Sequence, residues 1–156
     1  MMPYVVDGNN VMAQIVGWHR DMAGARIRLI HDLVHFVAAH RVKLKVVFDG
    51  APDEQFPDGG KFKGVQVLYA HRGSDADSRI KELVAAASYK RDLIVVSSDR
   101  ELASFVRGQG ARVISSGQFR SLLEESSKLA TSKEGHGLAG RIDVEEWLEF
   151  FKKSGE

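Results

Sequence analysis

Asp7, Asp49, Asp77 and Asp99 each sit just past the end of a hydrophobic run or at the start of the helix expected after one. If those runs are parallel strands of one sheet, the carboxylates converge on the edge outside the strand C-termini, where open α/β sheets bind ligands. Like charges gathered there are costly to maintain without a cation. Mg²⁺ and Mn²⁺ prefer six oxygens in octahedral geometry and keep several waters, so a few carboxylates on separate strand ends suffice. Such an ion lowers the pKa of a bound water, orients it for in-line attack on phosphorus and neutralises charge developing on the phosphoryl oxygens. A second ion about 3.5–4 Å away would stabilise the leaving oxygen. The pattern points to a divalent-metal site for phosphate chemistry that needs no protein nucleophile. Asn10 is placed to hold a metal-bound water or to lock the first loop, while Asn9 satisfies the turn.

Taken singly, the acids have plainer explanations. Asp7-Gly8 and Asp49-Gly50 are common turn pairs. Asp99 follows Ser98, which can cap a helix with Glu101 at its third position, and Ser74 can do the same ahead of Asp77. Asp75 suits the positive end of a helix dipole as well as it suits a metal. These explanations fail jointly, because capping does not require four strand ends to deliver an acid to one edge.

The elements that must position the acids are legible as short β-branched runs alternating with amphipathic stretches. Tyr4–Val6, Lys45–Phe48, Val65–Tyr69, Leu93–Val96 and Arg112–Ile114 read as five strands. Ile30, Leu33, Val34 and Val37 set an apolar stripe on a helix from about Gly24 to His40. Ile80, Leu83, Val84 and Ala87 repeat the spacing after the third strand, and Leu102, Phe105 and Val106 do so after the fourth. Strand alternating with helix implies an α/β fold: a parallel sheet of about five strands with helices on both faces. Ala51 to Gly64, with two prolines and three glycines, is expected to be a long mobile loop and a substrate flap beside the site.

At 156 residues the chain fits one domain, and 22 Lys and Arg against 21 Asp and Glu supply no general field for polyanions. Nucleic acid would have to be held by a local patch. The absence of cysteine removes disulfides, thiolate nucleophiles and zinc-thiolate sites. No leader-like segment or stretch of roughly 18 apolar residues is present, so a soluble, cytoplasmic protein with no membrane segment is expected. Residues 1–130 are expected to form the domain, residues 131–141 a glycine-rich linker, and residues 142–156 to carry a last helix, Val144 to Lys153. The apolar side of that helix, with Val144, Trp147, Leu148 and Phe151, closes over the core or docks on a second copy or a partner, which allows a homodimer. No histidines show the paired spacing of a zinc site, and His31 and His35 read as helix surface or partly buried.

Several stretches, in this order, resemble YacP-like NYN domains of the PIN-like ribonuclease superfamily. They are Val5 to Asn10, Val47 to Gly50, Asp75 to Ile80, Val95 to Leu102 and Gly110 to Ile114, within a match from about Tyr4 to Glu125. The resemblance implies a Rossmann-like sheet, a Mg²⁺- or Mn²⁺-dependent acidic centre and endoribonuclease or RNA-processing activity. It maps onto Asp7, Asn10, Asp49, Asp77 and Asp99, the four aspartates as metal ligands, with Asp75 only a neighbour of the pattern. RNA, single-stranded or in structured loops and including ribosome-associated RNA, is then the partner. Arg20, Arg72, Arg79 and Arg100 lie on loops or helix starts where guanidinium groups can take phosphates, and Trp18 can stack on an unpaired base or sit in the core. The rival expectation is a non-catalytic RNA-binding or adaptor domain on the same fold.

Overall fold

The computed structural model describes residues 3–134, with side chains to Lys128. In chain order the elements are β1 (Pro3–Asp7), α1 (Gly8–Met12), α2 (Met22–His40), β2 (Lys43–Phe48), β3 (Lys61–Phe62), β4 (Val65–Tyr69), α3 (Ala76–Ala86), β5 (Ile94–Val96), α4 (Arg100–Gly108), β6 (Arg112–Ile114) and α5 (Ser116–Glu134). They form a mixed α/β fold around a six-stranded sheet in the order β3-β4-β2-β1-β5-β6. All neighbours pair in parallel except β3, which adds to β4 antiparallel. The five strands read from the sequence are therefore present, and β3 is the addition.

Alternation along each strand divides the core in two, because successive side chains point to opposite faces. Val6, Val46, Phe48, Val67, Tyr69 and Val96 face one way and pack with Leu29, Ile30, Leu33 and Phe36 of α2 and Phe119 and Leu123 of α5. Val5, Val47, Leu68 and Val95 face the other way, onto Ile80 and Val84 of α3 and Leu102 and Val106 of α4. β1 lies between β2 and β5, so the chain winds outward from it on both sides. The end of β1, which carries Asp7, is thus the switch point of the sheet.

The segment expected to be a mobile flap is instead pinned. Phe56 and Phe62 are buried and meet edge to face with centroids 5.0 Å apart. The Tyr69 hydroxyl donates to the Phe56 carbonyl at 2.7 Å, and the Tyr69 amide donates to Asp58 Oδ1 at 3.1 Å. Gly59 N and Gly60 O bond Val67 across the edge, so these anchors offset the conformational freedom of the glycines. Helix α5 runs to Glu134, four residues into the stretch read as linker. The rest of that stretch and the C-terminal helix expected beyond it, with its dimer contact, lie outside the described residues. Among the described residues no helix is long and apolar enough to cross a membrane.

Candidate active site

Asp7 is the last residue of β1, Asp49 follows β2 directly, Asp99 lies three residues past β5, and Asp77 is the second residue of α3. Because β1, β2, β4 and β5 run parallel, these positions share the carboxyl edge of the sheet. Short polar bridges join them. Ser97 Oγ donates to Asp7 Oδ2 at 3.0 Å and accepts the Asp99 amide at 3.1 Å, which ties the first acid to the fourth. Asp49 Oδ1 accepts the amide of Ala76 at 2.7 Å, seating the start of α3 and its Asp77 against the end of β2.

The two asparagines act as fasteners. Asn9 Oδ1 accepts the Asp49 amide at 2.9 Å, so α1 holds the end of β2. Asn10 Oδ1 accepts the Ser98 amide at 2.8 Å and the Ser116 hydroxyl, so it locks the β5–α4 turn to the start of α5. Asn10, expected to lock the first loop or hold a metal-bound water, here bonds the β5–α4 turn and the start of α5; Asn9 does more than satisfy a turn. Gly8 permits the close approach: a Cβ there would stand 2.5 Å from the buried Phe48 ring and 3.0 Å from the Val47 carbonyl.

Electrostatics separate the acids. Burial pushes the Asp7 carboxyl up to about 6, against the lowering effect of the bonds from Ser97 and the Asn10 backbone, and the charges of Asp49 and Asp77 push the same way. Asp77 Oδ2 pairs with Lys81 Nζ at 3.1 Å, while its Oδ1 is buried with no hydrogen-bond partner among the described residues. Lys81 also reaches Glu101 Oε1 at 3.7 Å, and its ammonium is held above its usual range, chiefly by Asp77.

Asp99, rather than Ser98, is the N-cap of α4: its Oδ1 accepts the amides of Glu101 at 2.9 Å and Leu102 at 3.2 Å. Likewise Asp75, rather than Ser74, caps α3, accepting from Ser78 at 2.8 Å. Its exposed carboxyl is held below its usual range, mostly by that bond. Capping and charge can be separated at position 99, since Asn caps about as well as Asp. Asp99→Asn should leave metal-free stability within a few tenths of a kcal/mol, whereas Asp99→Ala should cost about 0.5–2 kcal/mol in urea unfolding.

The donor set fits a hard divalent cation: it is all oxygen, one buried carboxylate oxygen is without a partner among the described residues, and Asp7 ionises against burial and neighbouring like charge. Among the described residues, however, no three acid or histidine side chains lie close enough to chelate an ion as they stand. One oxygen each of Asp49 and Asp99 is committed to a helix start, and one of Asp77 to Lys81. Mg²⁺ usually keeps several waters and uses one or two carboxylates, so a subset of these four acids could hold one.

The expected RNA contacts divide. Arg72, in the loop after β4, and Arg100, at the start of α4, are exposed on the acid edge; Arg20 is exposed at the end of a 3-10 turn, Trp18–Arg20. Arg79 is committed internally: Nη1 donates to the Tyr69 carbonyl at 3.1 Å and lies 3.2 Å from His71 Nδ1. Trp18 is half-buried against the core beside α2. His31 and His35, one turn apart, bring their Nε2 atoms within 3.0 Å, a pairing the sequence reading overlooked.

Arg26 was also overlooked. Its Nη2 donates to the Asp49 carbonyl at 2.6 Å, and its guanidinium lies 5.4 Å from the ring centroids of both Phe48 and Tyr69. The signal was its position: Arg26 precedes Ile30 and Leu33 on the buried stripe of α2, where a charge needs a reason.

The family model of the YacP-like NYN domain matches residues 4–145. The chain belongs to the YacP-like NYN domain family. Two solved structures of Rae1 (YacP) from Bacillus subtilis share its fold. One, of a mutant, superposes with a TM-score of 0.70 at 21% identity, covering 97% of this chain and 92% of that one. The other gives a TM-score of 0.65 at 24% identity, covering 98% and 94%. No curated protein sequence matches the chain. Membership makes this a nuclease-like domain of the RNA-processing kind, with the sheet and flanking helices expected of that group.

Proposed function

We propose that this domain is a divalent-metal-dependent endoribonuclease that hydrolyses phosphodiester bonds in single-stranded or loop RNA. The observation that carries the reading is the delivery of Asp7, Asp49, Asp77 and Asp99 from separate elements to the switch-point edge, with one buried carboxylate oxygen unpaired. Mg²⁺ or Mn²⁺ held by these carboxylates would supply an acidified water and neutralise charge at phosphorus. Ser97 orients Asp7 and fixes the Asp99 backbone, while Asn9 and Asn10 hold the two loops between which the acids sit. Arg72 and Arg100 are free to take phosphate oxygens and so offset the repulsion between the RNA backbone and the acids. An open edge admits a flexible strand more readily than a stacked duplex.

The test is end-labelled RNA containing single-stranded and hairpin segments, incubated with Mn²⁺ or Mg²⁺. Internal cuts should appear, vanish with chelator and vanish in Asp99→Asn. The dispersal of the carboxylates favours one other reading, a non-catalytic RNA-binding or adaptor domain. RNA that is bound but never cut, with either metal, would decide for it.

A further inference from the structure

A cavity of about 510 Å³ opens beside the acid edge, between α4 and the end of β6, lined among others by Ser97, Arg100, Ser104, Arg107, Ser115 and Gln118. Among the described residues no acidic side chain lines it. Arg100 and Arg107 stand two turns apart on one face of α4, about 10.5 Å at 1.5 Å per residue, with Ser104 between them. Neither guanidinium has an ion pair or hydrogen bond among the described residues. Arg107 is favoured by the helix dipole in the last turn, but Arg100 at the first helical position stands against it, so the dipole does not account for the pair. Two guanidinium groups unpaired among the described residues, over a hydroxyl-rich floor that carries no carboxylate there, describe a site for an extended polyanion.

Ser97 places that cavity in register with the acids, since the residue that lines one wall also bonds Asp7 and Asp99. We propose that this cavity is the backbone channel for the RNA on one side of the scissile phosphate. Arg100 takes the phosphate nearer the acids and Arg107 one farther along the strand, while Ser104 and Gln118 offer donors to phosphate or ribose oxygens. The inference rests on the endoribonuclease reading and adds the path of the substrate, with Arg107 as a binding residue remote from the reacting atoms. A strand in this channel would lie along α4, away from the pinned Ala51–Gly64 segment.

The experiment is equilibrium binding of a single-stranded oligoribonucleotide to the full chain in chelator, across a salt series, with cleavage by the wild type in Mn²⁺ assayed separately. Arg107→Ala should reduce the steepness of log affinity against log salt by about 0.7, equivalent to about fivefold weaker binding at 0.1 M salt. Arg107→Lys should restore the slope. Arg91→Ala, at the opposite end of β5, should leave slope and affinity unchanged. An unchanged slope in Arg107→Ala with a wild type that cuts RNA overturns the channel and leaves the nuclease reading standing. A reduced slope in a protein that cuts nothing supports the channel and removes the nuclease reading. Failure of the wild type to bind RNA overturns the channel outright.

Discussion

Asp7→Asn should yield a folded protein that is more stable than the wild type at pH 8 and has lost RNA cleavage. In the native protein burial raises the Asp7 carboxyl from 3.8 to about 6, so between these values the folded state binds the proton more tightly than the unfolded one. Stability from this group is fully present below about pH 4, declines as pH rises through 6, and is gone above it. The difference of about two units corresponds to roughly 3 kcal/mol, chiefly the cost of holding Asp7 ionised while buried, with a smaller part from the charges of Asp49 and Asp77. Asn keeps an acceptor for the Ser97 hydroxyl and carries no charge, so the variant's advantage in denaturant unfolding should approach that figure at pH 8 and disappear near pH 4. Saturating Mn²⁺ should stabilise the wild type at pH 8 and the variant far less, by mass action on the folded state. Outer-shell partners of metal ligands typically account for about 10–100-fold in activity, so loss of a ligand should cost at least about a hundredfold. A variant no more stable at pH 8 than at pH 4, relative to the wild type, would show that Asp7 is not held ionised under strain. Equal Mn²⁺ stabilisation of both proteins would remove it from the metal site.

The five parallel strands were legible because Val-Val and Val-x-Val runs alternate between two apolar faces, a pattern that survives without tertiary information. The helices over them were legible for the same reason. What escaped were elements whose reason lies in a partner distant in sequence. Gly8-Asn9-Asn10 is a poor helix start, and α1 exists because Gly8 fits against Phe48 while both asparagines bond other strand ends. Strand β3 and the loop before it are ordered by Tyr69, a residue of the next strand. In α5, Phe119, Leu122 and Leu123 do carry helical spacing, but Gly117 and the interleaved serines weaken the pattern. The site residues divide along the same line. The acids were visible as punctuation at strand ends, whereas Ser97, Asn9 and Arg26, which set where the carboxylates stand, take their meaning only from contacts the sheet creates. The capping roles of Asp75 and Asp99 were displaced by one residue, a choice between adjacent side chains that helix geometry settles and spacing does not.

Arg26→Ala should destabilise the protein by about 2.5–5 kcal/mol and reduce cleavage by about a hundredfold, although Arg26 carries no charge to the substrate. The guanidinium leaves α2 over the Phe48 and Tyr69 rings and donates to the Asp49 carbonyl at 2.6 Å and, more weakly, to the Ala51 carbonyl at 3.5 Å. A hydrogen bond from a charged group contributes about 1.5–3 kcal/mol, and each ring contact about 0.5–1 kcal/mol, which together give the stability figure. The catalytic loss follows from position. Gly50 has φ +88 and leaves the turn after Asp49 free to relax once its carbonyls are released. Displacement of a reacting group by about 1 Å is enough for a hundredfold. Arg26→Lys should recover little of either, because a single ammonium cannot reach two rings while donating to the turn. Denaturant unfolding measures the first effect, and single-turnover cleavage at saturating RNA, under conditions where the variant is folded, measures the second. An Arg26→Ala protein with weakened stability and full single-turnover activity would mean that the Asn9 and Ala76 bonds alone hold Asp49 in place, leaving Arg26 a purely structural residue of the α2–sheet contact.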